Sequence, residues 1–369
     1  MVSLTQIIIF NTRIPKFQYL TSKIASMRFS IWVLSLLFIS PLISASEYSA
    51  DTINIPYLKI PLLQDLPSED FLSFAYYQQI CPEAEAIIHN KVKQWFQTDF
   101  SIAASLLRLH FHDCAVRGCD ASILLNHEGS ERRANGSKTL RGFELIDEIK
   151  AEIEKSCPRT VSCSDILTAA ARDATVLVGG PYWSVPFGRK DGKSSYAKEA
   201  EMVPKGREDI TTLIEFYQSR GLNVLDLVVL SGAHTIGKAT CGSIQWRIYN
   251  NNKTYGVTKN SIDDKYLEYL TRKCRWASDY VDLDGTTPRK FDAEYFKNLE
   301  KQMGLLWTDQ ILYSDPRTEP IVTTLANAPT VFEHQFAASM VKLGNIQVLT
   351  GQDDGEIRTN CNFVNSNGY

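Results

Sequence analysis

Apolar residues recur along this chain at intervals of three and four, the spacing that lays side chains on one face of an α-helix. Ile88, Val92 and Trp95 mark one such face, entered through Pro82. Phe143, Ile146, Ile149 and Ile153 mark a second. Ser162 and Asp165 stand at the spacing of a capping box with Asp in place of Glu, and the helix they open is stopped by Gly179-Gly180. Leu213, Ile214 and Tyr217 continue the pattern to Gly221, Tyr295, Leu299 and Gln302 repeat it, and Phe332, Phe336, Met340 and Leu343 carry it to Gly344. No long stretch alternates apolar with polar residues, so a large sheet is not expected. The pattern predicts a mostly α protein with short strands, no internal repeat and no linker.

Chemistry concentrates in Ser105-Leu-Leu-Arg-Leu-His-Phe-His-Asp-Cys-Ala-Val-Arg-Gly-Cys-Asp120. Arg108 and His112 are four residues apart and share a helix face. His110 lies about 200° round the helix from His112 and faces elsewhere. A fixed cation beside an imidazole suits a reaction that moves a proton while negative charge develops. A second His occurs in Leu230-Ser-Gly-Ala-His234-Thr-Ile-Gly, and an Asp in Thr308-Asp309-Gln310.

Arg108-Leu-His-Phe-His-Asp-Cys is followed in order by Gly118-Cys-Asp-Ala-Ser, Arg141-Gly-Phe, Val161-Ser-Cys-Ser-Asp-Ile-Leu, Gly179-Gly-Pro-Tyr-Trp and Leu230-Ser-Gly-Ala-His-Thr-Ile-Gly. Together these motifs resemble the class III secretory haem peroxidases of plants, from about Phe71 to the C-terminus. The resemblance implies a haem-peroxidase fold with two helical lobes around one haem b. It makes His234 the iron's axial ligand and Asp309 the carboxylate that holds the His234 ring and pushes electron density towards the iron. His112 becomes the proton shuttle on the other haem face, Arg108 the stabiliser of the leaving group's charge, and Phe111 a shield that steers donors to the haem edge.

The family places an Asn before the Arg-Gly-Phe motif, where it hydrogen-bonds the proton-shuttling His. Here the loop Ala134-Asn-Gly-Ser-Lys138 is shortened, and Asn135 is the Asn available. Asn135-Gly-Ser is also a glycosylation sequon, and the two roles exclude each other; Asn252-Lys-Thr is a second sequon.

Two calcium sites are implied by motif position. The first takes Asp113, Asp120 and Ser122, carbonyls of Val116 and Gly118, and Glu131 through water. The second takes Thr235, Asp284, Thr287, Asp292 and the Lys290 carbonyl. Hard oxygen donors of this kind suit Ca²⁺. Pro204 matches the family's contact for aromatic donors, and Ala115 replaces an aromatic, which predicts a wider access channel.

The chain has 369 residues, a hydrophobic content of 44%, a formal charge of −3 and a pI near 6.1. That balance gives no bulk attraction to nucleic acid or to a membrane surface. Eight cysteines permit 105 complete pairings. The resemblance selects Cys81–Cys157, Cys114–Cys119, Cys163–Cys361 and Cys241–Cys274. Ile31–Ile43 is a short apolar run behind Met27-Arg28 and ahead of Ser44-Ala-Ser46, the layout of a secretory signal peptide. The expected organisation is therefore 1–26 as an upstream artefact of the start site, 27–46 as signal, 47–70 as an irregular extension, and 71–369 as the peroxidase domain.

These readings converge on a secreted, extracellular, monomeric enzyme that reduces H₂O₂ while oxidising small phenols, with haem b and two Ca²⁺. A zinc hydrolase built on His110, His112 and Cys114 is disfavoured because the two imidazoles diverge. A non-catalytic haem-binding wall protein on the same fold has no need of Arg108, His112, His234 and Asp309 together.

Overall fold

Helices α1 (Ala84–Thr98), α2 (Ile102–Arg117), α3 (Phe143–Ser156) and α4 (Cys163–Leu177) pack on one another in the computed structural model, which describes residues 72–249, 261–351 and 354–365. The apolar stripes explain why. Ile88 and Val92 of α1 and Phe143, Ile146, Ile149 and Ile153 of α3 are all buried. Truncating any of these large side chains to Ala should cost ~2–5 kcal/mol. Ser162 Oγ accepts the Asp165 amide hydrogen at 3.1 Å and caps α4. The Asp165 carboxylate does not return the bond; it meets the buried Arg189 at 2.8 Å and the Tyr77 hydroxyl at 2.6 Å.

The chain continues through α5 (Ala197–Ala200), α6 (Ile210–Gln218) and α7 (Val224–Ser231), then a 3₁₀ turn at Gly232–Thr235. Asn223 and Asp226 close a reciprocal capping box on α7. Next come β1 (Lys238–Thr240), α8 (Cys241–Tyr249), α9 (Asp264–Lys273) and β2 (Tyr280–Asp282). The two strands pair antiparallel, with Ala239 opposite Val281. Helices α10 (Glu294–Glu300), α11 (Trp307–Ser314), α12 (Glu319–Asn327) and α13 (Pro329–Gly344) complete the order. Helices α6, α7 and α10–α13 form the second helical group, and α13 touches both α7 and α2.

The expected mostly α architecture is the observed one, and a single apolar core runs through both helical groups. A smaller core holds α8, α9 and β2 around the Cys241–Cys274 bridge. Bridges also join Cys81 to Cys157, Cys114 to Cys119 and Cys163 to Cys361, the last across 198 positions. A cross-link of that span constrains the unfolded chain by roughly 5 kcal/mol in the loop-entropy model. The apolar run 31–43, the extension 47–70 and Asn252 lie outside the described residues.

Candidate active site

Arg108 and His112 occupy one face of α2, as their spacing predicts. The Arg108 guanidinium is held at both ends. Nη2 donates to the Gly136 carbonyl at 2.9 Å, while Nη1 donates to the Thr139 carbonyl at 3.2 Å and hydroxyl at 3.0 Å. Desolvation of the guanidinium lowers its pKa, although part of the side chain still faces open space. His112 is 6% exposed, and burial, followed by the neighbouring Arg108 charge, pulls its pKa down to about 3. A neutral imidazole is thereby maintained at any ordinary pH. Phe111 stands edge-on to His112 with ring centroids 6.0 Å apart, and stacks on Tyr217 at 6.4 Å. His110 points away into the core against the Cys114–Cys119 bridge, 3.6 Å from Cys114 Sγ.

The second His sits in the 3₁₀ turn after α7. Gly232 is required there: a Cβ would stand 2.6 Å from the Phe332 ring and 2.8 Å from that of Phe296. His234 Nδ1 lies 2.7 Å from Asp309 Oδ1. A carboxylate oxygen only accepts, so Nδ1 carries the hydrogen and Nε2 keeps its lone pair. Burial disfavours the His234 cation, but the charge and hydrogen bond of Asp309 outweigh it and raise the pKa. The side chain is 37% exposed because its free edge faces open space. The positive charge of Arg108 is felt at His234. Three residues past His234, a Cβ on Gly237 would lie 3.1 Å from that of Ala104, one turn before Arg108. The α2 face and the His234 turn are therefore neighbouring walls.

Asp309 is 1% exposed and fully engaged. Its Oδ1 also accepts from the Tyr295 hydroxyl at 3.1 Å, and its Oδ2 from the Leu306 amide at 3.0 Å. Tyr295 was legible only as a member of an apolar stripe; nothing in the sequence marks its hydroxyl as a partner of the site. Buried Arg247, whose pKa falls to about 10 through desolvation, adds a positive field behind Asp309.

Asn135 departs from one of its two expected roles. It is exposed, its Oδ1 accepts from Lys138 Nζ at 2.8 Å, and its amide donates to Glu201 Oε1 at 2.8 Å. His112 Nδ1 is buried with no hydrogen-bond partner. The 3₁₀ turn at Asn135–Ser137 spends its Gly136 carbonyl on Arg108 and turns the Asn135 side chain outward. The catalytic reading of Asn135 is thus corrected.

The acidic residues assigned to calcium gather as two groups. In the first, Asp113 accepts amide hydrogens from Ala121 and Ile123, and Asp120 from Ser122. The Ser122 hydroxyl and both Glu131 oxygens are buried without partners. Burial raises Asp113 and Asp120, and burial together with the Asp120 charge brings Glu131 to about 8. The Gly118 carbonyl accepts the Asp120 amide at 2.9 Å, and Val116 lies in the last turn of α2. Orphaned hard oxygens beside crowded carboxylates are a donor set that fits a divalent cation. In the second group, Thr235 Oγ1 lies 3.5 Å from Asp284 Oδ2 and 3.3 Å from the Lys290 carbonyl, while Thr287 Oγ1 reaches Asp292 Oδ1 at 3.0 Å. Burial, with the Asp292 charge adding, raises Asp284.

Pro204 lies half-buried in the loop between α5 and α6. Ala115 lies near the C-terminal end of α2. It is 1% exposed, its carbonyl accepts from Arg220 Nε at 2.6 Å, and Arg220 lies flat on the Phe216 ring, centroid 3.6 Å away.

A buried neutral imidazole beside a fixed cation, next to a carboxylate-held imidazole with a free nitrogen, is an arrangement suited to moving a proton while negative charge develops nearby. The family model described as Peroxidase matches residues 88–328. Peroxidase 7 of Arabidopsis thaliana is 60% identical over 305 residues, 82% of this chain and 87% of that protein. Peroxidase 28 and Peroxidase 72 of the same plant are 44% and 45% identical over 80% and 81% of this chain, and 93% and 91% of their own. The chain belongs to the peroxidase family, in its plant class III branch.

Proposed function

We propose that this peroxidase is a secreted haem b enzyme with two bound Ca²⁺ that reduces H₂O₂ to water while oxidising two phenol molecules by one electron each. The carrying observation is Arg108 and His112 on one face of α2, beside His234 with its Nδ1 held by Asp309. The residues fit the group: His234 Nε2 is free to ligate iron, while His112 is buried in α2 beside Arg108 on the neighbouring wall. A haem held there by His234 would supply the redox chemistry that O–O cleavage requires.

Each protein group then has one task. His112, neutral because its pKa is about 3, takes a proton from one peroxide oxygen and returns it to the departing one. Arg108, fixed by Gly136 and Thr139, stabilises the negative charge on that oxygen without having to reorganise. Asp309 fixes the His234 tautomer and makes its Nε2 a stronger donor. Phe111 narrows the space beside His112. Asp113 and Thr235 each follow a working His directly, so Ca²⁺ at either group would brace the adjoining wall.

The four disulfides suit an oxidising compartment, and residues 27–46 supply a matching export signal ahead of an extension at 47–70 and the enzyme at 71–369. No helix among the described residues is long and apolar enough to cross a membrane. We read the enzyme as a monomer glycosylated at Asn252. The purified protein should show a Soret band with high-spin ferric features and should turn over guaiacol with H₂O₂. A colourless protein, or a haem protein inert to that pair, would overturn the reading.

A further inference from the structure

The loop between α5 and α6 ties the two walls of the site together at its rim. On one side Glu201 accepts the Asn135 amide and the Lys205 ammonium, at 2.8 and 2.6 Å, and the next residue, Gly136, holds Arg108. On the other side Gly206 abuts Leu306, whose amide holds Asp309; a Cβ on Gly206 would stand 3.5 Å from the Leu306 side chain. Pro204 lies in the same loop. The Glu208 carboxylate is spent on main-chain hydrogens, accepting from the amides of Lys205 and Arg207 at 2.8 and 2.9 Å.

Among the described residues of this loop, Arg207 is what remains uncommitted. Its side chain is exposed and lies over the half-buried Trp246 of α8, with the guanidinium carbon 5.4 Å from the ring centroid. Among the described residues its guanidinium meets no carboxylate. The indole platform limits the rotamers of the side chain and leaves its donor edge open, which lowers the entropy lost when an anion binds. Arg recognises carboxylates through two parallel N–H donors.

We infer that Arg207, seated on Trp246, is a specificity-determining residue that binds the carboxylate of anionic phenolic donors at the rim while their phenol end enters the site. This rests on the peroxidase reading above and adds the class of phenol preferred: hydroxycinnamates over their uncharged alcohols. A charge interaction exposed at a rim is modest, so the expected preference is about three- to five-fold in KM.

The test compares two donors with the same ring, 4-hydroxy-3-methoxycinnamate and the corresponding cinnamyl alcohol, on the holoenzyme and on Arg207→Gln and Arg207→Lys. Arg207→Gln should raise KM for the acid about three- to five-fold, with kcat unchanged and the alcohol unaffected. Arg207→Lys should recover part of the loss, because the charge returns without the stacked fork. Added salt should raise the parent's KM for the acid only. Calorimetric titration of the resting enzyme with each donor gives the same comparison without turnover. Equal KM changes for both donors, or none for either, would overturn the inference. A parent enzyme that oxidises neither donor would instead overturn the peroxidase reading on which it rests.

Discussion

Tyr295 donates its hydroxyl hydrogen to the same Asp309 oxygen that holds His234, at 3.1 Å against 2.7 Å for the imidazole. The two donors compete for one oxygen, so Tyr295 drains negative charge that Asp309 would otherwise direct at His234. Asp309→Asn and Tyr295→Phe should therefore shift the reduction potential of the bound iron in opposite directions. Asp309→Asn weakens the push and raises the potential; Tyr295→Phe concentrates charge on the His234 bond and lowers it. Loss of the Tyr295 hydroxyl should also cost about 1 kcal/mol of stability, the usual worth of a buried hydrogen bond. Spectroelectrochemical titration of both variants checks the signs. A shift of the same sign in both would show that Tyr295 acts by packing alone.

Asn135 engages Lys138 rather than His112. Asn135→Ala should leave the rate of reaction with peroxide within about two-fold of the parent, because no hydrogen bond to the shuttle is lost. Stopped-flow mixing with H₂O₂ measures it directly. A slowing of tenfold or more would mean that Asn135 reaches His112 in the working enzyme.

The helices with one apolar stripe were legible, α1, α3, α6 and α10 among them, because a half-exposed helix writes its buried face into the sequence, whereas the almost wholly buried α4 was legible from its Ser162–Asp165 cap. The helix that carries the chemistry was not legible that way. Ile102, Leu106, Leu109, His110, His112 and Cys114 are buried on several sides of α2, so no stripe separates core from solvent. Its place came from motif order, as did the position of His234. Partners lying far apart in sequence stayed hidden for a physical reason. The Tyr295–Asp309 bond, the Gly136 and Thr139 carbonyls on Arg108 and the bond from Arg220 to the Ala115 carbonyl depend on how loops close, and no local pattern encodes that. The Asn135 side chain shows the same limit: its turn and its outward direction follow from the Arg108 and Glu201 contacts on either side of it.

Calcium removal should make stability fall with rising pH. Glu131 is fully buried, and its pKa is raised from the ordinary 4.5 to about 8, with Asp113 and Asp120 raised beside it. A carboxylate whose folded pKa is raised destabilises the fold as it ionises. The metal-free protein is then most stable below pH ~4.5 as far as this group is concerned, and it loses that stability as pH climbs towards about 8. Bound Ca²⁺ compensates the charge and flattens the profile. Thermal melts of chelator-treated protein should drop by roughly 5 °C or more between pH 5 and pH 8, with no such drop after calcium is restored. Adding calcium to the stripped protein at pH 7 in weak buffer should release protons. Identical pH profiles with and without calcium would contradict the assignment of Glu131 to the site.

Arg108 and His112 act on one transition state and should show it in their mutants. His112→Leu removes the proton shuttle, and the reaction with peroxide should slow by at least ~10²-fold. Arg108→Leu removes a preorganised charge, with an expected loss of ~10²–10³-fold in the same step. The arginine is also bonded to Gly136 and Thr139, so its loss frees the turn that forms the edge of the wall, and Arg108→Lys should recover only part of the rate. The double mutant should lose less than the product of the single losses, because a shuttle without the charge, or the charge without a shuttle, is already compromised. Both single variants should still bind haem, since His234 and Asp309 lie on the other wall. Stopped-flow spectra of the two single mutants and the double mutant give all four corners of the cycle. If His112→Leu reacts at the parent rate, the shuttle is a different group; if it fails to bind haem, the roles of His112 and His234 are exchanged.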